Sequence, residues 1–386
     1  MHIRRLAAVV GTVAVVFAAC SSSSSPSAAT GGGASGGTSG AGCTVGVSWN
    51  NFQQPRWAAT DKPNIQKVVE AAGGKYIDKD ANLSTEQQLT DVDTLISQGA
   101  KVLILLAQDT TVVGPALQKA KAANIPVIAY DRLIEDPSVL YITFDNVGVG
   151  KAEADAILAK VPKGNYVLIK GDPGDPNAKT FLPKGWDDAG LKAKVDSGDI
   201  KLLNGPDGTF TDAWKTEKAQ SNMEAIIDKA VSDNTKIDAV LAENDSTALG
   251  VAAALEGKQY GFPPLSGQDG DPANLNNVAL GKQYVDIWKN SNELGKAAGQ
   301  AALSLCSSPD FSKISVNVDP SVAPKAGNAP ADFTTPGGKT VKSIILQPTP
   351  ITADKLGDVM AKGWYATKDQ ICKGVTDSSP GAAACK

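Results

Sequence analysis

Residues 84–132 read STEQQLTDVDTLISQGAKVLILLAQDTTVVGPALQKAKAANIPVIAYDR. Ser84 opens a helical pattern through Gln98, Gln87 completes a capping box with it, and Gly99 stops it. Val102 to Ala107 is an unbroken apolar run, as expected of a strand covered on both faces. Val113 to Ala123 returns to helical spacing, and Pro126 to Tyr130 is a second apolar strand. Helix, doubly buried strand, helix and strand in one run predict a parallel sheet with helices on both faces. The last strand ends on Asp131-Arg132, a charged pair at its carboxyl end.

The same alternation extends in both directions. Upstream, Thr44 to Trp49 and Lys75 to Lys79 read as strands around a helix from Ala58 to Ala72, stopped by Gly73-Gly74. Downstream, Leu140 to Phe144 is a further strand. The rhythm then restarts, with helices at Val147–Lys160, Ala178–Val195, Lys215–Val231, Ser246–Leu255, Pro272–Leu280 and Glu293–Leu305. Strands fall at Tyr166–Lys170, Ile200–Leu203, Ala239–Ala242, Leu265–Gln268 and Tyr284–Trp288. Two α/β halves of similar grammar are expected. Pro320 to Lys339 reads as an irregular loop, Ser343 to Leu346 as a last strand and Ala353 to Lys362 as a last helix.

The amino-terminal segment reads as an export signal. Arg4 and Arg5 precede the apolar run Leu6 to Phe17, and Ala18-Ala19 lead to Cys20. That run is short for a membrane-spanning helix. A cysteine directly after small residues resembles a bacterial lipobox, although Phe17 stands where leucine is usual. Residues 1–20 are thus expected to be a lipoprotein signal ending at a lipidated Cys20. Ser21 to Gly42 is nearly all Ser, Gly, Ala and Thr and reads as a disordered tether with a reach of about 25 Å. The chain is expected to be exported and held by lipid at the outer face of the cell membrane.

Composition narrows the function. The net charge is −4, and no basic cluster follows the leader, so nucleic acid is not an expected partner. The only histidine is His2, which leaves the rest without Ser-His or Cys-His nucleophilic systems and without histidine-based metal sites. No phosphate-cradling glycine motif occurs. An enzyme is not expected, nor is a metal or cofactor. Beyond Cys20 there are Cys43, Cys306, Cys372 and Cys385, for which three pairings are open. The short spacing favours Cys372 with Cys385, which leaves Cys43 with Cys306.

In open α/β sheets ligands bind beyond the carboxyl ends of the strands. The residues there are Arg56 and Trp57, Asp131 and Arg132, Asp145 and Asn146, Asp175 and Asn177, Trp214, Asn244, Asp269 and Lys289. Such a set suits a small polyol. Aspartate accepts from hydroxyls, while Arg, Lys and Asn donate to them. Indole rings cover the apolar C–H faces of a sugar ring. Each residue also has a plainer role open to it: Asp145, Asp245 and Asp269 are placed to cap helices, and a loop tryptophan often belongs to the core.

The motifs R-W at 56–57, A-Y-D-R at 129–132, F-D-N at 144–146, N-A-K at 177–179, N-D at 244–245 and S-G-Q-D at 266–269 carry a resemblance. From about Val45 to Asp358 the chain resembles the xylose-binding proteins of bacterial ABC importers, within the type I periplasmic sugar-binding family. The resemblance implies two doubly wound parallel-sheet lobes joined by three hinge crossings. Residues 43–146 and 284–342 would form one lobe, and 147–283 with 343–386 the other. It further implies that Arg56, Trp57, Asp131, Arg132, Asp175, Asn177, Trp214, Asn244, Asp269 and Lys289 line the sugar cleft. Trp57 and Trp214 would face the sugar from opposite lobes, and Asp145 and Asn146 would lie near the hinge. The implied partners are a monosaccharide, D-xylose first and glucose next, and an ABC permease, with the protein itself a monomer. The family's Y-K-P reads here as Trp288-Lys289-Asn290, and the region of Gln108-Asp109 also departs from it. A sensor subunit presenting sugar to a signalling receptor carries the same signature. A repressor would need a DNA-binding module, which the Ser/Gly segment does not supply.

Overall fold

The computed structural model describes residues 40–364 and 366–386. The signal segment, Cys20 and most of the tether lie outside the described residues. The tether's expected end is corrected: Gly40 is buried, its N–H donates to the Ala72 carbonyl at 2.8 Å, and its own carbonyl accepts from the Cys43 N–H at 2.9 Å. The chain is therefore already docked before Cys43.

The first half runs β1 (Thr44–Trp49), α1 (Lys62–Ala71), β2 (Lys75–Asp80), α2 (Thr85–Ser97), β3 (Val102–Leu105), α3 (Gly114–Ala122), β4 (Val127–Tyr130) and β5 (Val139–Phe144). The second runs α4 (Asn146–Lys160), β6 (Gly164–Ile169), α5 (Leu182–Asp188), α6 (Leu191–Asp196), β7 (Ile200–Leu202), α7 (Thr216–Ser232), β8 (Ala239–Ala242), α8 (Asp245–Gly257), α9 (Pro272–Leu280) and β9 (Asp286–Trp288). Then come α10 (Ser291–Ser307), β10 (Ala331–Thr334), β11 (Thr340–Leu346), β12 (Thr349–Ile351), α11 (Leu356–Ala361), α12 (Lys368–Ile371) and α13 (Ala382–Cys385).

The larger sheet has the order β10-β11-β5-β4-β3-β1-β2, and every pairing except β10 with β11 is parallel. Side chains alternate across it. Val47, Ile104, Ile128 and Ile142 enter one core layer, while Leu103, Leu105, Ala129 and Tyr141 enter the other. The smaller sheet is β7-β6-β8, extended by single bridges from Val240 to Leu265 and from Gln268 to Ile287, and then by the antiparallel pair β9-β12. Two further core layers flank it. These are two lobes built on parallel sheets, the architecture that the resemblance implies.

The pairing corrects the expected lobe boundaries. Residues 284–288 were placed with the first lobe, but β9 pairs with β12 and bridges Gln268. Residues 343–346 were placed with the second, but β11 pairs with β5 along Lys342–Leu346. The crossings thus fall at 145–146, 289–290 and 347–348, and α10 packs on α1 in the first lobe. Ala331–Thr334 is a strand inside what reads as an irregular loop and forms a hairpin with Thr340–Leu346, which begins three residues before the expected strand Ser343–Leu346. Leu265–Gln268 makes isolated bridges only, and the expected helix 178–195 is broken at Gly190, whose φ is +102°.

Both lobes enter the cleft through the same device. Trp57–Asp61 and Asn177–Phe181 are π-helical turns, each followed one residue later by a helix-opening Leu/Lys-Pro pair, Lys62-Pro63 and Leu182-Pro183. Proline has no N–H for the carbonyl four residues back, so the turn before it widens. Disulfides join Cys43 to Cys306, which ties β1 to α10, and Cys372 to Cys385 in the tail.

Candidate functional site

One cavity lies between the lobes at the carboxyl ends of both sheets. It brings together all ten residues expected in the cleft: Arg56, Trp57, Asp131 and Arg132 from the first lobe, Asp175, Asn177, Trp214, Asn244 and Asp269 from the second, and Lys289 at a crossing. Gln54 and Gln268 also line it and were missed. Gln268 sits inside the S-G-Q-D motif, so its position was a signal. Gln54 precedes the R-W pair with no mark of its own.

Opposite charges meet across the cleft. Arg56 is buried and donates to Asp269 at 2.9 Å and to Asp61 at 3.0 and 3.3 Å, with Asp131 3.5 Å away. Arg132 contacts Asp175 at 2.9 Å and donates to the carbonyls of Ala107 and Gln108. Lys289 reaches Asp131 at 3.3 Å and Asp269 at 3.8 Å. Burial opposes the Arg56 charge, yet Asp61, Asp131 and Asp269 outweigh it and hold the guanidinium well above its ordinary value. Burial likewise works to raise Asp131, but Lys289, Arg56 and Arg132 prevail and hold its carboxyl below the usual range. Asp131 is therefore an obligate acceptor. Asp61, on the first helical turn, was missed because nothing in the local sequence marks it as the partner of Arg56.

The two indoles are placed by the same network. Trp57 Nε1 donates to Gln54 Oε1 at 3.0 Å, and Gln54 Nε2 donates across the cleft to the Ala213 carbonyl at 3.2 Å. Trp214 Nε1 donates to Asp175 Oδ2 at 3.3 Å. Its ring lies over Gly171, where a Cβ would stand 2.1 Å from the indole, so only glycine fits. Arg56 stacks on Trp57, its guanidinium carbon 4.1 Å from the ring centroid.

The capping alternatives now separate. Asp145 is a cap: its carboxylate accepts from Gly148 N–H at 2.9 Å at the start of α4, pairs with Lys325 and does not line the cavity. Asn146 donates to Asn177 Oδ1 at 2.9 Å and so supports a cavity residue from the crossing. Asn244 both caps α8 and lines the cavity. Asp245 accepts from the N–H groups of Gly270 and Asp271 instead of capping α8. Asp269 bonds Arg56. Among the described residues no cluster suited to a metal ion occurs, and no helix is long and apolar enough to cross a membrane.

A model of the periplasmic binding protein domain matches residues 45–309. The chain belongs to the periplasmic binding protein family. Members of this family are solute-binding proteins, not enzymes. The chain is 32% identical to the D-xylose-binding periplasmic protein of Escherichia coli over 85% of its own length and 92% of that protein's. It is equally, 32%, identical to the multiple sugar-binding periplasmic receptor ChvE of Rhizobium radiobacter, with the same coverage of 85% and 92%. An ABC transporter solute-binding protein of Clostridium phytofermentans, solved with β-D-glucose, superposes with a TM-score of 0.73 at 32% identity, covering 85% of this chain and 99% of that one.

Proposed function

We propose that this family member captures a monosaccharide between its lobes and delivers it to an ABC permease, with D-xylose the first candidate. The observation that carries the reading is the cavity itself. Acceptors, fixed donors and two indoles converge on one space from both lobes. Asp131, Asp175 and Asp269 accept from hydroxyls, while Arg56, Arg132, Lys289, Asn177 and Asn244 donate to them. Trp57 and Trp214 cover the C–H faces from opposite lobes. The lobes close as a hinge-type clamp over the sugar, and the closed form is what the permease recognises. The sequence match to D-xylose-binding proteins supports the pentose. Glucose is the second reading, supported by the glucose-bound relative of equal identity. The protein acts as a monomer outside the cytoplasmic membrane, tethered through lipid on Cys20. Calorimetry across the common aldopentoses and aldohexoses tests the reading. At least one should bind at micromolar Kd or tighter, about −8 kcal/mol, and heat from none of them overturns it.

A further inference from the structure

The second lobe carries a small apolar cluster beside the cavity, built from Leu275, Trp288, Ile351, Leu356, Trp364 and Ile371 among others. Two of its features reach the site directly. Trp288 precedes Lys289, and its ring lies against Gly270, where a Cβ would stand 2.5 Å from Trp288 Cδ1. Gly270 follows Asp269. The segments that deliver Asp269 and Lys289 therefore press on each other with no room for a side chain between them.

Trp364 closes the third side of this contact. It is buried, its ring meets Trp288 edge-on with centroids 5.4 Å apart, and its Nε1 donates to the Gly270 carbonyl at 2.5 Å. One side chain thus holds the backbone after Asp269 and the ring before Lys289. Asp269 has a φ of +111°, a conformation that a non-glycine residue keeps only when its surroundings impose it.

The tail secures Trp364 in turn. Beyond residue 365 the chain returns over α9. Asn276 donates to the carbonyls of Ile371 and Lys373, both at 2.8 Å, and Gly381 N–H donates to the Ala279 carbonyl at 2.9 Å. Ile371 is fully buried in the cluster, and its neighbour Cys372 is bonded to Cys385.

We infer that Trp364 is a positioning residue for the ligand site, setting Asp269 and Lys289 from behind, and that the disulfide-closed tail keeps it in place. The inference rests on the cavity being the sugar site. Trp364→Phe keeps the ring and deletes the N–H. With D-xylose in calorimetry, it should raise Kd about five- to thirtyfold while the apo protein melts within a few degrees of wild type. Because part of the effect of Trp364 passes through Asp269, Asp269→Asn combined with Trp364→Phe should lose less affinity than the product of the two single penalties, a non-additivity that a merely structural role does not produce. The double variant Cys372→Ser/Cys385→Ser should lose affinity in the same sense, with the Cys43–Cys306 bridge intact. An unchanged Kd in both Trp364→Phe and the double cysteine variant overturns the inference, as do penalties for Trp364→Phe and Asp269→Asn that simply multiply. If wild type binds no sugar, the sugar reading itself falls; if wild type binds and these variants bind equally well, only the inference falls.

Discussion

Asp269→Asn separates a ligand contact from a structural one. Asparagine is the right probe because φ at this position is +111°, where Asn is tolerated far better than Ala. In the protein, Asp269 takes one hydrogen bond from Arg56 at 2.9 Å and stands 3.8 Å from Lys289. Arg56 keeps Asp61 at 3.0 Å and Asp131 at 3.5 Å when the charge at 269 is removed, so no cation is left stranded. The fold should survive. A hydrogen bond to a charged group contributes about 1.5–3 kcal/mol and a neutral one about 0.5–1.5, so neutralising the acceptor costs about 1–1.5 kcal/mol per bond. An acceptor gripping two sugar hydroxyls loses about 2–3 kcal/mol, or roughly thirty- to 150-fold in Kd. Titration calorimetry with D-xylose reads the affinity, and thermal melting of the apo protein reads the fold. A Kd within threefold of wild type, or a fall in apo melting temperature with affinity intact, would refute the assignment.

Arg56→Ala should behave in the opposite way. It leaves Asp61, Asp131 and Asp269 buried around a lost cation, at a cost of about 3–5 kcal/mol, visible as a large fall in apo melting temperature; a melting temperature unchanged from wild type would show the cluster to be uncoupled. Sugar should alter intrinsic fluorescence, and Trp57→Phe or Trp214→Phe should remove part of that response and weaken binding; if neither variant changes either readout, the rings do not contact the ligand. Asp286, fully buried on β9, is pushed up to about 8 by burial, whereas its unfolded value is about 4. The native state therefore holds a proton that the unfolded chain releases, so this group's stabilisation is complete below about pH 4 and is lost as pH rises through about 8. Asp286→Asn should flatten the fall of melting temperature between about pH 5 and pH 8 relative to wild type, and parallel curves would contradict this. Cys20→Ser should release the expressed protein from membranes, a result read by fractionation and contradicted by a variant that stays membrane-bound.

Much of the candidate site was legible because one rule, that ligands of open α/β sheets bind beyond the strand carboxyl ends, needs only local information. Asp131 and Arg132 follow an unmistakable apolar strand, and the structure places them in the cavity. What a strand-end side chain does there is a tertiary matter. Asp145 and Asp269 look alike in sequence, yet one caps a helix and the other pairs with an arginine more than two hundred residues away. Lobe membership failed for the same reason. β9 has only three residues, and β11 pairs with β5 across some two hundred residues of intervening chain, so neither pairing is signalled in the local sequence. The π-helical turns were invisible to periodicity because an added residue per turn barely shifts an apolar pattern, although Pro63 and Pro183 marked where to look.

Strain around the cavity follows the same division between local and tertiary. Asp131, Ala213, Trp214 and Asp269 all have positive φ, at +60°, +54°, +58° and +111°. Each such conformation in a non-glycine residue costs on the order of 1–3 kcal/mol, so each must be held from outside. The holders are identifiable. Asp131 N–H donates to the Ile142 carbonyl at 2.8 Å and its carbonyl accepts from Thr143 Oγ1 at 2.9 Å. Ala213 N–H donates to Asp172 Oδ2 at 2.6 Å, and Asp269 N–H to the Ile287 carbonyl at 3.1 Å. All these holders are groups within the same lobe as the residue they hold, so each half of the site is shaped independently of lobe closure. The contacts between lobes that remain include Arg56 with Asp269, Arg132 with Asp175, and Gln54 with Ala213. A ligand whose hydroxyls fit two prefabricated half-sites loses less of its binding free energy to ordering side chains, and on the proposed sugar reading that is how a cavity with this many charges would select a small neutral molecule.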